Sequence, residues 1–200
     1  MSRAAQYDWD VALDAALSLF WEKGYHATSL KDLETALDMK PGSIYAAFFS
    51  KKNLYLLTLE RYFQRSRTGF RTKMKHARSP LLGLAAYFQT YAQLGPNDKA
   101  RQVCMLTKTL LETRTTEPEI FRKSYDYMAA MHLEFSSCFA QAIAQKELPA
   151  EADPDRLARR FQANIMSLRL ELTRGATAHE VLTLAEDMGL EISGLRIVSP

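Results

Sequence analysis

The apolar residues of this 200-residue chain recur at every third or fourth position over most of its length, which is the spacing of one helix face. Prolines, glycines and small polar residues separate the periodic segments and favour helix starts and stops there. Ser79 and Asp153 are predicted caps, and residues 177–180 a capping box. No segment of consequence alternates apolar and polar residues as a strand would. The predicted helices are residues 8–23, 29–36, 41–48, 50–77, 80–94, 101–113, 118–145, 154–174 and a last one from residue 177. The sequence therefore predicts an all-α fold.

Residues 28–52 contain two short helical segments on either side of a tight turn. Leu30 and Leu33 are spaced along one face of the first segment. Thr28 or Ser29, just before them, can accept a hydrogen bond from the free N–H groups at the helix start. This first helix therefore has a start signal and an apolar face to bury.

The turn between the two segments has residues suited to a sharp change of direction. Asp38 is one of the few residue types other than glycine that tolerate a left-handed backbone. Pro41 fits the first turn of the second helix, where the amide hydrogen that proline lacks would have no partner. Two short helices joined in this way predict a helix-turn-helix, whose second helix fits the major groove of DNA.

Three motifs follow one another in this part of the chain: A-L-x-L-F-x-x-x-G-Y at residues 16–25, T-S-L-x-x-L at 28–33 and S-I-Y-A-A-F-x-S-K-x-x-L at 43–54. Through these motifs, residues 13–54 resemble the DNA-binding domain of TetR-family transcriptional regulators. The resemblance implies a three-helix DNA-binding domain at the N-terminus, residues 1–52. The larger remainder, residues 53–200, is then a helical domain for ligand binding and dimerisation.

Three places in this segment depart from the family pattern. Asp38 stands where glycine is usual, and Lys40 stands where a small capping residue is common. Ala46 and Ala47 replace larger side chains that family members often have on the second, recognition helix. An aspartate is compatible with the turn, whereas the two alanines leave fewer long side chains to reach the edges of the bases.

The residues around the turn are the predicted DNA contacts. Tyr45 offers a hydroxyl to a phosphate, and Ser43 beside the bare backbone of Gly42 allows close approach to the groove. Local sequence alone is equally compatible with Ser43 as a cap and Tyr45 as a packing residue, and the family resemblance favours DNA contact. The full predicted set adds hydroxyls at the first helix start and nearby lysines: Thr28, Ser29, Lys40, Gly42, Ser43, Tyr45, Lys51 and Lys52.

The charge of the chain is informative through its distribution. A net charge of +3, with 47% hydrophobic and 24% charged residues, is ordinary for a globular protein. Residues 51–78, however, contain nine lysines or arginines and a single acid, Glu60. Because a helix rises about 1.5 Å per residue, Arg71 would lie roughly 30 Å from Lys51. Most of this run is therefore predicted to be a solvated face rather than a DNA contact.

The cysteines and the N-terminus indicate the compartment. Cys104 and Cys138 make no disulfide framework, which favours a reducing environment. The first ten residues lack the apolar core of a signal peptide, and no apolar run reaches the roughly 18 residues of a membrane span. A cytoplasmic protein is expected.

The central helices are predicted to enclose a ligand pocket, because in the resembled family a ligand bound there moves the recognition helices. The candidate lining is mostly apolar with a few polar tips: Tyr87, Tyr91, Tyr125, Met128 and His132. Ordinary core positions are the alternative for each of them, with His132 bound to a carbonyl oxygen.

Cys104 is a candidate sensor of electrophiles or oxidants. Residues 101–106 resemble a stretch that carries a cysteine in some family members with that response. Arg101 and Lys108 flank Cys104 by about one helical turn, and nearby cations favour the reactive thiolate. An inert buried thiol is the alternative.

The last two helices are predicted to pair with a second copy of the chain in a four-helix bundle, as in the resembled family. A two-fold dimer would read two half-sites separated by whole turns of the duplex. The predicted interface is the apolar stripe of these helices: Leu157, Phe161, Ile165, Leu168, Leu172, Val181, Leu184 and Met188. The alternative is that both stripes face their own core.

No enzyme, cofactor or metal site is expected. The four histidines are scattered, and the chain has neither a glycine-rich phosphate loop nor a G-x-S-x-G nucleophile motif. The prediction is a homodimeric, ligand-responsive transcriptional regulator that binds a pseudo-palindromic DNA operator, more in keeping with a repressor than an activator. The alternative is a helical adaptor that binds protein and not DNA.

Overall fold

The computed structural model describes residues 3–95, 98 and 100–197, with side chains from residue 9 onward, and it is helical throughout. Its helices are α1 (Arg3–Lys23), α2 (Leu30–Leu37), α3 (Pro41–Phe48), α4 (Lys51–Lys75), α5 (Pro80–Tyr87), α6 (Gln89–Ala92), α7 (Met105–Thr113), α8 (Pro118–Ala144), α9 (Pro154–Thr173) and α10 (Ala178–Ser193). No strand occurs within the described ranges. The predicted all-α fold is confirmed.

Several helix starts follow the predicted capping chemistry. The hydroxyl of Ser79 accepts the amide hydrogen of Leu82 at the start of α5. The carboxylate of Asp153 accepts two amide hydrogens at the start of α9. Thr177 and Glu180 form a reciprocal capping box at the start of α10. These local signals fixed where the helices begin because each satisfies amide groups that have no partner inside the helix.

The region predicted as one helix over residues 80–94 is two helices, α5 and α6. The Thr90 hydroxyl donates to the Tyr87 carbonyl oxygen at 2.7 Å. A side-chain donor that takes a backbone carbonyl competes with the helical hydrogen bonds, which is consistent with the break at Phe88. Phe88 itself is fully buried at this break.

Helix α7 begins at Met105, four residues after the predicted start at Arg101. Arg101 instead holds the preceding connection, because its guanidinium donates to the carbonyl oxygens of Leu94 and Ala176. The apolar spacing of this region did not distinguish a helix from a loop pinned by an arginine.

The chain packs as two compact units, residues 1–65 with 105–128 and residues 66–104 with 129–200. The first unit therefore combines the predicted helix-turn-helix with α7 and the first part of α8, which come from much later in the sequence. No helix in the described part of the chain is long and apolar enough to cross a membrane.

The first unit has a core of interlocking apolar side chains from its helices. Phe20 of α1 is fully buried, and its ring meets the edge of Tyr55 of α4 with centroids 4.8 Å apart. Leu33 of α2 and Phe48 of α3 are also fully buried. Burial of each such side chain stabilises the fold by about 1.5–3 kcal/mol, so this core fixes α2 and α3 against α1 and α4.

The second unit is built around Phe161 of α9. The ring of Phe161 lies 4.7 Å from that of Phe88 and 5.1 Å from that of Phe135, measured between centroids. Phe70 of α4 in turn meets Phe135 edge to face at 4.9 Å. Helix α10 contacts α5, α6 and α9. These aromatic contacts place the apolar stripes of α9 and α10 inside the chain.

The residues predicted to form the dimer interface are therefore mostly core residues. Seven of them are buried within their own chain: Leu157, Phe161, Ile165, Leu168, Leu172, Val181 and Met188. Leu184 is half-buried. A side chain that is already enclosed by its own chain has no surface to offer a second copy, so the predicted interface is wrong for these seven positions. Helical spacing identified a buried stripe correctly but not what buries it.

The basic run after the helix-turn-helix is mostly exposed, as predicted, but part of it is also paired with acidic side chains. Four of its arginines form ion pairs, Arg61 and Arg65 with Asp14, and Arg67 and Arg71 with Glu134, at 2.7–2.8 Å. The Arg71 and Arg67 guanidinium groups lower the pKa of the Glu134 carboxyl, although burial opposes this shift. These arginines brace helix contacts within each unit, although the side chains of Arg65 and Arg71 remain 57% and 56% exposed.

Candidate nucleic-acid interface

The start of α2 separates two neighbouring residues that were both predicted to contact DNA. Ser29 is exposed and forms a capping box, in which its hydroxyl accepts the amide hydrogen of Asp32 at 3.1 Å. Thr28 is fully buried, and its hydroxyl donates to the Gly24 carbonyl oxygen at 2.6 Å. Thr28 therefore holds the preceding loop, and the predicted phosphate contact through its side chain is wrong.

The turn into α3 has the predicted geometry. Asp38 ends α2 in the left-handed conformation, with φ 51° and ψ 45°. Pro41 occupies the first turn of α3. Lys40, at the capping position before it, is exposed and its side chain makes no capping hydrogen bond. The lysine thus leaves its ammonium group available at the start of α3.

Helix α3 has one buried and one exposed side. Ile44 and Phe48 are 2% and 0% exposed and anchor the helix in the core of the first unit. Gly42 and Ser43 are exposed, and the Tyr45 side chain is 45% exposed. This two-sided arrangement is what a recognition helix needs, because the anchors fix its position while the opposite side meets the duplex.

The two lysines at the start of α4 already interact with neighbouring groups. The Lys51 ammonium lies 4.6 Å from the centroid of the Tyr25 ring, and partial burial lowers its pKa. Lys52 forms an ion pair with Glu119 of α8 at 2.8 Å, and both side chains are largely exposed. An exposed ion pair contributes little to stability, so a phosphate can replace Glu119 as the partner of Lys52.

Helix α7 supports the helix-turn-helix through three polar residues, which we call the α7 clamp: Lys108, Glu112 and Thr116. The Lys108 ammonium donates to the carbonyl oxygens of Trp21 and Glu22 at the end of α1, at 3.2 and 2.6 Å. A cation is favourable there because the helix end has unpaired carbonyl groups and a negative dipole.

The other two members of the α7 clamp hold the loop between α1 and α2. The Glu112 carboxylate accepts the amide hydrogens of Tyr25 and His26 at 3.0 and 2.9 Å. The His26 ring and the Thr116 hydroxyl are hydrogen bonded at 2.8 Å. The clamp therefore fixes the chain where it enters α2.

Sequence reasoning missed the α7 clamp for a physical reason. Its three residues are four apart, which places them on one side of a helix and its C-terminal extension. That spacing is the only local signal, and it resembles any solvated helix face. Their partners lie more than 80 positions away in the sequence, and only the folded chain brings them together.

The predicted pocket residues occupy different environments. Tyr87 and Tyr91, in the second unit, have ring centroids 5.9 Å apart, and the guanidinium of Arg169 lies 5.1 Å from the Tyr91 ring. His132 binds the carboxylate of Asp155 at 2.6 Å, not the carbonyl oxygen considered as an alternative.

The two remaining pocket candidates belong to the first unit. Tyr125 is 61% exposed there, so the predicted role as an enclosed pocket wall is wrong for Tyr125. Met128 is half-buried. Apolar side chains with a few polar tips, the character on which the lining was predicted, therefore did not distinguish a pocket wall from an exposed face.

Cys104 is half-buried, immediately before α7. The cations predicted to activate its thiol, Arg101 and Lys108, instead donate to backbone carbonyl oxygens. Cys138 is buried, and this burial raises the pKa of its thiol to about 11. Of the two cysteines, Cys104 is the one that a reagent reaches more easily.

Two family models match the chain over most of its length. The model described as bacterial regulatory proteins, tetR family, matches residues 12–57, which include the helix-turn-helix. The model described as tetracyclin repressor-like, C-terminal domain, matches residues 80–182, which is more than half of the chain.

Individual relatives agree with these matches. The HTH-type transcriptional repressor ComR of Escherichia coli (strain K12) is 27% identical over 184 residues, 92% of this chain and 88% of ComR. A TetR-family regulator from Cytophaga hutchinsonii has the same fold, with a TM-score of 0.86 at 18% identity over 100% of this chain and 99% of that one. CifR, in a cysteine-mutant form complexed with a 26-base-pair double-strand operator DNA, has a TM-score of 0.81 at 25% identity, over 90% of this chain and 94% of CifR. These relatives are transcriptional regulators and not enzymes.

Proposed function

Because the chain belongs to the TetR family of bacterial regulatory proteins and is a DNA-binding transcriptional regulator, we propose that it represses transcription by binding a pseudo-palindromic operator as a homodimer. The observation that carries the proposal is the exposed side of α3, which Ile44 and Phe48 anchor from behind. The similarity to ComR, a repressor, supports repression rather than activation. Since bacterial operators lie in the cytoplasm, the protein acts there.

Within the DNA-binding segment, residues 1–52, each exposed group has a separate role. Tyr45 offers its hydroxyl group to a phosphate, and the Lys40 ammonium adds a charge at the start of α3. Ser29 contacts a phosphate when its hydroxyl hydrogen, which donates to the Asp32 carboxylate in the free chain, turns to the DNA. Gly42 and Ser43 allow the helix to approach the base edges closely. Lys51 and Lys52 complete the phosphate contacts, with Lys52 exchanging Glu119 for the DNA backbone.

A second copy of the chain covers the exposed side of α9 and α10. Four large apolar side chains remain exposed on these two helices: Met166, Leu170, Leu182 and Leu190. They lie away from the buried stripes, and two such helices from each copy form a four-helix bundle. The two-fold symmetry of that bundle presents two recognition helices to successive half-sites, which one chain cannot do.

A small molecule releases the dimer from the operator by binding better to a form that does not fit DNA. Residues 53–200 contain the sensing region, with Tyr87, Tyr91 and His132 as its candidate lining. The α7 clamp offers a physical connection by which ligand binding changes the DNA-binding segment, because any shift of α7 moves the loop before α2.

A reactive electrophile is the second candidate signal, with Cys104 as the group that it modifies. The greater accessibility of Cys104 compared with Cys138 supports this choice. Cys104→Ser should then bind the operator normally and no longer be released by an alkylating reagent such as N-ethylmaleimide. Unchanged release of this variant would remove Cys104 from the proposal.

The proposal is tested by selecting bound fragments from the source genome and measuring their affinity at several salt concentrations. Lys40→Ala should lower the slope of log affinity against log salt by about 2 per dimer, because each lysine neutralises about one phosphate. Lys75→Ala, an exposed lysine at the far end of α4, is the matched control and should leave the slope unchanged. Indifference of the wild-type protein to all DNA fragments at low salt would favour the protein-binding adaptor.

A further inference from the structure

Phe49, directly after the recognition helix α3, combines two unfavourable features. Its side chain is 79% exposed, although large apolar side chains favour burial. Its backbone has φ 65° and ψ −47°, a region that bulky residues rarely adopt. A polar residue or a glycine would avoid one or both of these penalties.

The strained backbone of Phe49 belongs to a tight turn between α3 and α4. The amide of Ser50 donates to the Phe48 carbonyl oxygen at 2.7 Å, which closes a three-residue γ-turn centred on Phe49. A γ-turn with positive φ is rare and strained. The turn brings the Ser50 hydroxyl to the start of α4, where it accepts the amide hydrogen of Asn53 at 3.0 Å. The α4 cap thus explains the turn but not the phenylalanine within it.

The position of Phe49 continues the exposed side of α3. Its amide donates to the Tyr45 carbonyl oxygen at 2.8 Å, so its backbone lies one helical turn beyond Tyr45. Gly42 and Ala46, also exposed, occupy the same side of the helix at spacings of seven and three residues from Phe49. The buried anchors are on the other side.

We infer that Phe49 is a DNA contact of this regulator and that its ring packs against apolar C–H groups of the operator. Thymine methyl groups in the major groove and deoxyribose carbons of the backbone both offer this chemistry, and aromatic contact with thymine methyl is an established mode of readout. Ala46 and Ala47 leave α3 with few long polar side chains, so an apolar contact at its end adds recognition that the helix itself lacks. Strain and exposure at one residue are features of functional sites. This inference rests on the proposed operator binding.

Phe49→Ala tests the contact, with Leu111→Ala as its matched control. Leu111 of α7 is 81% exposed, so both substitutions remove a large apolar side chain from the surface of the first unit. Phe49→Ala should weaken operator binding about 10-fold per protomer and about 100-fold for the dimer, which is the scale of one buried aromatic ring at each half-site. The salt slope should stay unchanged because no phosphate contact is lost. Leu111→Ala should retain wild-type affinity.

Phe49→Gly separates DNA contact from a role in folding. Glycine adopts positive φ without strain, so this variant should melt at a higher temperature than Phe49→Ala and still bind the operator weakly. Phe49→Tyr, which keeps the ring, should restore affinity. Wild-type affinity in Phe49→Gly or Phe49→Ala overturns the inference, whereas failure of the wild-type protein to bind any selected fragment overturns the proposed function instead.

Operators with deoxyuridine in place of single thymines identify the apolar partner. If the ring packs on a thymine methyl group, one substitution per half-site should weaken the wild-type protein about as much as Phe49→Ala and have no further effect on that variant. If every deoxyuridine operator binds normally while Phe49→Ala remains weak, the partner is the deoxyribose. Both results support the contact and distinguish base readout from backbone positioning.

Discussion

Neighbouring residues with similar chemistry have opposite roles in the helix-turn-helix. Thr28 and Ser29 both present a hydroxyl near the start of α2, yet Thr28 is buried against the Gly24 carbonyl and Ser29 is exposed. The hydroxyl group makes both residues able to bind a phosphate, but burial leaves only Ser29 accessible to one.

Gly24 is the residue with the strictest local requirement in the first unit. Its φ is +89°, and a Cβ atom would lie 2.5 Å from Oε2 of Glu112. Gly24→Ala should destabilise the protein by about 2–4 kcal/mol, because the backbone becomes strained and the carboxylate must leave its two amide partners. Urea unfolding at pH 7 measures this loss.

The matched control for Gly24→Ala is Gly69→Ala, in the middle of α4. No atom outside its own helix lies within 4 Å of an added Cβ there, so alanine should stabilise the helix by about 0.5–1 kcal/mol. Opposite signs for the two variants are expected. A Gly24→Ala protein as stable as the wild type would contradict the geometry of the α1–α2 loop.

At the scale of elements, α7 holds the loop through which the chain enters the helix-turn-helix. The α7 clamp binds the end of α1 and the loop after it, and Thr109 of the same helix hydrogen bonds to the buried Tyr55 hydroxyl at 2.7 Å. The helix-turn-helix is thus held in place by a helix from another part of the sequence.

Glu112→Gln should loosen the start of α2 without removing any group that meets DNA. Tyr25 and His26 donate to different oxygens of the carboxylate. Glutamine has an NH2 group, which cannot accept a hydrogen bond, in place of one of these oxygens, so one of the two bonds is lost, at about 1–3 kcal/mol of stability. Operator affinity should fall about tenfold because the recognition helix is less preorganised, with the salt slope unchanged. Fluorescence anisotropy with a labelled operator measures the affinity and its salt dependence.

Glu151→Gln is the control for this charge change. Glu151 is exposed in the connection before α9, so its neutralisation should alter neither stability nor affinity measurably. If Glu112→Gln binds the operator as tightly as Glu151→Gln does, the α7 clamp does not position the DNA-binding segment.

At the scale of the whole molecule, function depends on which apolar surfaces remain after the chain has folded. The stripe around Phe161 is buried in the core of its own chain, so only the exposed apolar residues of α9 and α10 are available for the proposed contact with a second copy. Contact between copies therefore has to use residues that the helical pattern placed on the outer side.

Leu190→Glu should convert the dimer into a folded monomer. Leu190 is 70% exposed on α10, and a buried carboxylate without a partner is strongly unfavourable in an apolar interface. Operator affinity should fall by more than about 100-fold because a single recognition helix contacts one half-site. Analytical ultracentrifugation and circular dichroism distinguish loss of association from loss of fold.

Leu133→Glu and Phe161→Ala complete this test. Leu133 of α8 is 67% exposed, so its substitution matches Leu190→Glu on a helix outside the proposed interface and should leave the dimer intact. Phe161→Ala should lower the free energy of unfolding by about 3–5 kcal/mol, as removal of a buried ring does. A stable dimer in Leu190→Glu would move the interface elsewhere.

Much of the fold could be predicted from short-range patterns. Apolar spacing predicted the order of the helices, and caps such as Ser79, Asp153 and Thr177 predicted their starts. The left-handed turn at Asp38 could also be predicted from the sequence, because few residue types tolerate that conformation. The break between α5 and α6 could not be predicted. The Thr90 hydroxyl competes for a backbone carbonyl oxygen of the helix only when its side chain points towards that oxygen, and the sequence does not show this.

The sequence by itself determined an all-α chain with a helix-turn-helix near its N-terminus, because helix periodicity, caps and turn residues act over a few positions. Only the tertiary structure decided that Thr28 is buried, that Phe161 lies in the core and that Glu112 holds the loop before α2. Such outcomes depend on contacts between residues far apart in the chain, and a local pattern that predicts a buried face does not contain the identity of its partner.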